Sequence, residues 1–171
     1  MKLLIAVAPD RFRDEELSEP LKVFNAEGIE VVIGSTQTGE CLGMLGDRVE
    51  ATVTFADADP DEYDGIVIIG GIGSQDFLWT SAELVGVVKD LFERGKVVSA
   101  ICLSPAILGI AGVLNGRRAT FFVSPASNRV MDEAGVIISK DPVVTDGTIV
   151  TANGPGAAKA FGEAVVAALK Q

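Results

Sequence analysis

The feature that most constrains this chain is a series of short, almost wholly apolar runs separated by stretches of helical spacing. Lys2 to Val7, Ile29 to Ile33, Gly65 to Ile69 and Val97 to Ile101 each hold at most one polar side chain. A strand with one wet face alternates polar and apolar residues; a strand covered on both faces does not. Between the runs the spacing changes. Asp14 to Glu27 puts Leu17, Leu21 and Phe24 on one face, carries acidic residues in its first turn and ends at Gly28. Ala82 to Arg94 reads as a helix closed by Gly95, Leu103 to Leu114 as a helix with Pro105 in its first turn, and Ser127 to Ala134 as a short helix ended by Gly135. Val136 to Ser139 and Val143 to Thr151 read as strands, the latter with a turn at Asp146-Gly147, and Pro155 to Lys170 as the closing helix. Strands alternating with helices predict an α/β fold, a largely parallel sheet covered on both faces in three layers. Ligands of such sheets sit beyond the carboxyl ends of the strands.

The remaining segments are connections. Thr38 to Glu50, with Gly39, Gly43 and Gly46, reads as a hairpin or loop. Asp57 to Asp64 holds five acidic residues and Pro60 and reads as a solvated connection; a metal site there is the alternative, without a recognisable ligand motif. At 171 residues the chain, 1–171, suits a single domain. No apolar run approaches the roughly 20 residues that cross a bilayer. Asp10 and Arg11 interrupt the first apolar stretch too early for a secretory signal, so a cytoplasmic protein is expected. A formal net charge of −10 disfavours nucleic acid and anionic membranes as partners.

One count excludes whole mechanisms: the chain has no histidine. Ser-His-Asp and Cys-His catalysis therefore cannot operate within it. Two cysteines make neither a disulfide framework nor a four-thiolate zinc site. No metal and no cofactor is expected.

The strongest local signal is Val97-Val98-Ser99-Ala100-Ile101-Cys102-Leu103-Ser104-Pro105, where an apolar strand runs into a helix without a loop. A cysteine on so sharp a turn is held in a strained conformation, and the positions two residues to either side want small side chains. Here they are Ala100 and Ser104, where the usual elbow has glycines. The expected helix would place its positive end at the Cys102 sulfur and favour a thiolate. The other reading of Cys102 is an ordinary buried cysteine. Cys41, between Gly39 and Gly43, reads as a hairpin or loop cysteine. Gly70-Gly71, at a buried strand end, offers either a tight turn or one half of an oxyanion hole, with the Leu103 N–H as the other half. Gly154-Pro155-Gly156 offers a helix-start turn or an anion site. Glu16 is one of a dense acidic group, Asp14, Glu15, Glu16 and Glu19, and nothing in that local pattern singles it out.

Taken together these segments resemble the ThiJ/PfpI superfamily over nearly the whole chain. The resemblance rests on Glu16 four residues before Pro20, on DGIVIIGG at Asp64 to Gly71 and on Ala100-Ile101-Cys102. It continues through AGVLNGRRAT at Ala111 to Thr120 and VTANGPG at Val150 to Gly156. It implies a flavodoxin-like sandwich, a homodimer or larger assembly, a reactive Cys102 with Glu16 against its sulfur, and backbone N–H groups from Gly71 and Leu103. Phe77 and Trp79, in an expected loop after the glycines, are candidate interface or site-mouth aromatics.

The departures refine the resemblance. Intracellular peptidases of the superfamily carry histidine directly after the cysteine, where this chain has Cys102-Leu103-Ser104-Pro105. Glutamine amidotransferase relatives need a Cys-His-Glu triad. Cys-x-Ser-Pro and Asn153-Gly154-Pro155-Gly156 are closer to the deglycase and stress-response branch, where Phe121 or Phe122 falls at a histidine position. Two functional classes follow. One is an enzyme acting on small reactive carbonyl compounds, glyoxalase- or deglycase-like or a hydrolase, with Cys102 as nucleophile and Glu16 moving the proton. The other is a non-enzymatic redox sensor or chaperone-like stress protein, in which Cys102 oxidises and a protonated Glu16 donates a hydrogen bond to the sulfinate.

Overall fold

A computed structural model describes residues 1–171. Seven strands form the central sheet: β1 (Lys2–Ala6), β3 (Glu30–Ser35), β6 (Val53–Thr54), β7 (Gly65–Ile68), β8 (Val97–Ile101), β11 (Val143–Asp146) and β12 (Ile149–Ala152). Their order is β11-β12-β8-β7-β1-β3-β6. All neighbours are parallel except β11, which returns antiparallel on β12 through the turn at Gly147. Two small sheets lie outside it: β2 (Asp10–Phe12) with the hairpin β4 (Gly39–Gly43) and β5 (Arg48–Ala51), and β9 (Arg118–Ala119) with β10 (Ile137–Ile138).

The alternation of side chains along each strand builds two cores at once. Leu4, Ala6, Ile66, Ile68, Val98 and Ala100 face one way, onto α2 (Ala82–Glu93), α3 (Pro105–Ile110) and α4 (Pro125–Glu133). Leu3, Ile5, Val67, Ile69, Val97 and Ile101 face the other, onto α1 (Asp14–Ala26) and α5 (Ala158–Leu169), through Leu17, Phe24, Phe161 and Val165. The architecture is the expected flavodoxin-like α/β/α sandwich.

Register positions the site. Ile68 lies beside Ala100 on one side and Ala6 on the other, so Gly70-Gly71 and Cys102 leave the sheet side by side. After β1 the chain crosses over them as β2. The Arg13 N–H donates to the Gly70 carbonyl at 3.0 Å, and the Met44 N–H to the Phe12 carbonyl at 2.8 Å. The tip of the β4–β5 hairpin is thereby folded over the carboxyl edge of the sheet.

Several expectations change. The helix expected over Leu103 to Leu114 is only the six residues of α3, because Cys102 to Ser104 form a turn and Ala111 onward breaks into further turns. Val136 to Ser139 supplies β10, which pairs with β9 and not with the main sheet. Phe77 lies in a π-helical turn, Ser74–Leu78, and Trp79 caps it; both are half-buried rather than free loop aromatics. In the Asp57 to Asp64 connection three of the five carboxylates engage different groups. Asp59 caps the Asp61 N–H at 2.9 Å, Asp61 pairs with Arg94, and Asp64 accepts from the Lys2 N–H at 2.7 Å. No cluster of three potential metal-ligating side chains forms there.

Candidate active site

Cys102 occupies the left-handed region, φ +66°, between the end of β8 and the start of α3. For a residue with a Cβ this costs roughly 1–3 kcal/mol and persists only where the surroundings enforce it. They do. The Cys102 N–H donates to Ala152 on β12 at 2.9 Å, and its carbonyl accepts from the Phe122 N–H at 2.8 Å. Two residues to either side, Ala100 and Ser104 are fully buried. The Ser104 hydroxyl donates to the Ile69 carbonyl at 2.7 Å, which leaves its oxygen to accept from the Ser74 hydroxyl, also at 2.7 Å. This relay ties the residue before Gly70 to the turn that carries Cys102.

The two glycines are required by contact. A Cβ on Gly70 would stand 2.5 Å from Glu16 Oε1 and 2.6 Å from Cys102 Cβ. Gly71 has φ +102° and lies under the backbone of residues 11 to 13. The N–H groups of Gly71 and Leu103 both act on the Cys102 sulfur and stabilise its charged form. Leu103 is itself held, since the Trp79 indole N–H donates to its carbonyl at 2.9 Å.

Glu16, on the first turn of α1, is fully buried, and neither carboxylate oxygen meets a partner in good hydrogen-bond geometry. The groups that face it are the Cys102 thiol and the Gly70 N–H. Loss of hydration pushes its carboxyl up to about 8, against the weaker pull of Cys102, Gly70 and Arg13. Glu16 is therefore mostly protonated at neutral pH. Burial also pushes the Cys102 thiol up, to about 12, with the negative charge of Glu16 adding to it; Gly71 and Leu103 act in the opposite sense. The expected helix-end effect is overruled: α3 is one and a half turns long and starts three residues beyond the sulfur. The two groups titrate as a pair, and the repulsion vanishes while Glu16 keeps its proton.

Above the sulfur lies a pocket of about 180 Å³ bounded by Arg13, Met44, Gly71, Ile72, Cys102, Leu103, Phe122 and Pro155. Its walls are apolar except for Arg13, whose guanidinium meets Glu15 at 2.8 and 3.1 Å. Of the two candidate phenylalanines, Phe122 lines the pocket and Phe121 is buried in the core. Pro155 brings the glycine cluster to the pocket wall. Arg13, Met44 and Ile72 were not foreseen. Arg13 had one local signal, as a cation directly before the acidic run Asp14 to Glu16; the other two had none. Cys41 lies on β4, fully buried, away from this pocket.

A flavodoxin-like sandwich with a cysteine on a left-handed turn at the carboxyl edge of its sheet defines a class of α/β proteins with a thiol at the ligand end of the fold. The model of the DJ-1/PfpI family matches residues 1–168. The chain is 45% identical over 170 residues to an uncharacterized protein of Methanocaldococcus jannaschii, covering 99% of this chain and 83% of the relative. It is 38% identical over 156 residues to a deglycase of Thermococcus kodakarensis, covering 91% and 92%. A crystal structure of a ThiJ/PfpI domain protein from Brachyspira murdochii superposes with a TM-score of 0.94 at 31% identity, covering 99% of this chain and 96% of that one. The chain belongs to the DJ-1/PfpI family.

Proposed function

We propose that this protein is a cysteine-dependent enzyme of small reactive carbonyl compounds, deglycase- or glyoxalase-like, serving stress defence in the cytoplasm as a single domain. The observation that carries the reading is the pairing of Cys102, on its left-handed turn, with a buried and mostly protonated Glu16 beside the Gly71 and Leu103 N–H groups. The deglycase name of the Thermococcus kodakarensis relative supports the substrate class. In this mechanism the sulfur adds to the carbonyl carbon and the C=O π bond opens. The two N–H groups stabilise the developing oxyanion. Glu16 passes the thiol proton to the oxygen, so no histidine is needed and nothing is oxidised or reduced. A pocket of about 180 Å³ suits compounds of a few heavy atoms.

The test is methylglyoxal consumption, alongside removal of its adducts from free cysteine, with Cys102→Ser as the control. Turnover that survives this substitution would remove Cys102 from the mechanism. The redox-sensor reading rests on the same protonated Glu16, which can donate to a sulfinate. Peroxide-dependent mass gain confined to Cys102, in protein without carbonyl turnover, would favour it. A homodimer or larger assembly accompanies the proposal. The apolar residues Ile72, Phe122 and Val123 are exposed together at and beside the pocket mouth. Sedimentation at micromolar concentration is the check, and a monomer counts against it.

A further inference from the structure

We infer that the pocket takes small carbonyl compounds that also carry a carboxylate, and that Arg13 is the residue that binds it. The inference rests on the reading of Cys102 as the reactive thiol.

Arg13 is the only charged side chain on a pocket wall otherwise made by Met44, Ile72, Phe122, Pro155 and the Cys102–Leu103 turn. Glu15 engages Nε and Nη2 of the guanidinium, and Glu15 is not part of the pocket wall. Nη1 and the second proton of Nη2 have no partner in the protein. A guanidinium presents five donors, so three remain after Glu15, and two of them, one on Nη1 and one on Nη2, form a second edge available to a planar carboxylate. The cation also acts electrostatically on Glu16 and Cys102, which places it within working range of the reacting sulfur.

Charge makes the arrangement selective. The whole chain carries −10, which repels anions at long range, and that field is screened beyond about 10 Å at moderate salt. An anionic ligand therefore depends on a local cation, and the apolar walls strengthen the contact by lowering the dielectric around it. A short acid such as glyoxylate would place its carboxylate on Arg13 and its aldehyde over Cys102. The C–S bond forms as the C=O π bond opens, and the thiol proton ends on the carbonyl oxygen by way of Glu16. The product of this step is a hemithioacetal, with no change of oxidation state.

Two alkylating probes of similar size isolate the charge: iodoacetate, an anion, and iodoacetamide, its neutral counterpart. Each forms an S–C bond to Cys102, releases iodide and gives the thiol proton to solvent. The quantity read is the ratio of the two rates at Cys102, by peptide mass, because any change in thiolate availability cancels from it. Arg13→Gln is expected to lower the iodoacetate-to-iodoacetamide ratio about tenfold, the loss of one charge-assisted contact. Arg13→Lys should recover part of it, and Glu15→Gln should raise it by freeing the guanidinium. In unaltered protein, glyoxylate should slow iodoacetamide labelling of Cys102 at about fivefold lower concentration than the neutral glycolaldehyde. Equal ratios in the wild type and Arg13→Gln, or equal protection by the two aldehydes, overturn the inference while leaving Cys102 reactive. Inertness of Cys102 to both reagents overturns the reactive-cysteine reading, and the inference with it.

Discussion

Cys41 and Cys102 are both buried, and burial raises the pKa of both thiols. They differ in what their backbone and neighbours allow. Cys41 sits in regular extended structure in the middle of β4, opposite Val49 on β5, and its sulfur approaches the Gly39 carbonyl at 3.8 Å. Cys102 sits on a left-handed turn at the floor of a pocket, against a carboxyl that holds its own proton at neutral pH. A pKa alone does not separate a structural cysteine from a working one here. Burial is the largest cause at both thiols, but the raised pKa of Cys102 also includes a repulsion that protonation of Glu16 removes, whereas at Cys41 desolvation is offset only in part by Ser35 and Ala51. The reactivity proposed for Cys102 rests, on this comparison, on access and a switchable neighbour.

The largest effect that would break the comparison is selective labelling. At pH 7, iodoacetamide should modify Cys102 at least tenfold faster than Cys41 in the folded protein. Cys102→Ser should abolish carbonyl turnover, a loss of at least about 100-fold, and Cys41→Ser should leave it within about twofold. Equal labelling of the two thiols would defeat the contrast.

A second effect sharpens it through stability. The carboxyl of Glu16 is raised to about 8 in the fold, well above its ordinary value near 4.5. Between those values the folded chain holds a proton that the unfolded chain has released. Stability must therefore fall as pH rises from about 4.5 to about 8, by up to about 1 kcal/mol per pH unit from this group, and level off above. Denaturant titrations of the wild type and Glu16→Gln should differ by that slope, with the variant flatter over the window. Parallel pH dependences would mean that Glu16 is hydrated and ionised. The Cys41 environment supplies no such term below pH 8.

These regions also show what a sequence carries and what it does not. The strands β1, β7 and β8 were legible because burial on both faces removes the polar half of the alternation. The Cys102 turn was legible because its apolar run meets a helix start with no residues to spare. Strands β2 and β9 were not, being two or three residues long with no period to read. The length of α3 was missed because apolar helical spacing continues past Ile110 while the backbone turns away at Gly112. Glu16 was hidden among Asp14, Glu15 and Glu19, and only the family resemblance singled it out. Its burial depends on the packing of α1 against the sheet, which no local pattern encodes. Arg13 and Met44 reach the pocket only because β2 pairs with β4, a contact between segments some thirty residues apart.

The smallest effect separates two actions of Glu16, the effect of its charge on the sulfur and the movement of the proton. Glutamine keeps the length of the side chain and a hydrogen-bond donor but cannot give up a proton in the working pH range. Alkylation of Cys102 needs no proton delivered to the product, so Glu16→Gln should label within about threefold of the wild type at pH 7. Carbonyl addition does need one, and turnover should fall by about tenfold or more, in the range for loss of a general acid. Aspartate withdraws the carboxyl by one methylene from a fully buried site, so Glu16→Asp should slow both reactions, alkylation by a few-fold. The pH dependence fixes the sign. Above about pH 8 the wild-type carboxyl ionises and repels the thiolate, while glutamine stays neutral. The labelling rate of Glu16→Gln relative to wild type should therefore rise as pH climbs from 7 to 9. At Cys41, whose surroundings do not include this carboxyl, both proteins should label alike at every pH. A relative rate at Cys102 that stays flat across this range would show that Glu16 does not act on the sulfur through its charge.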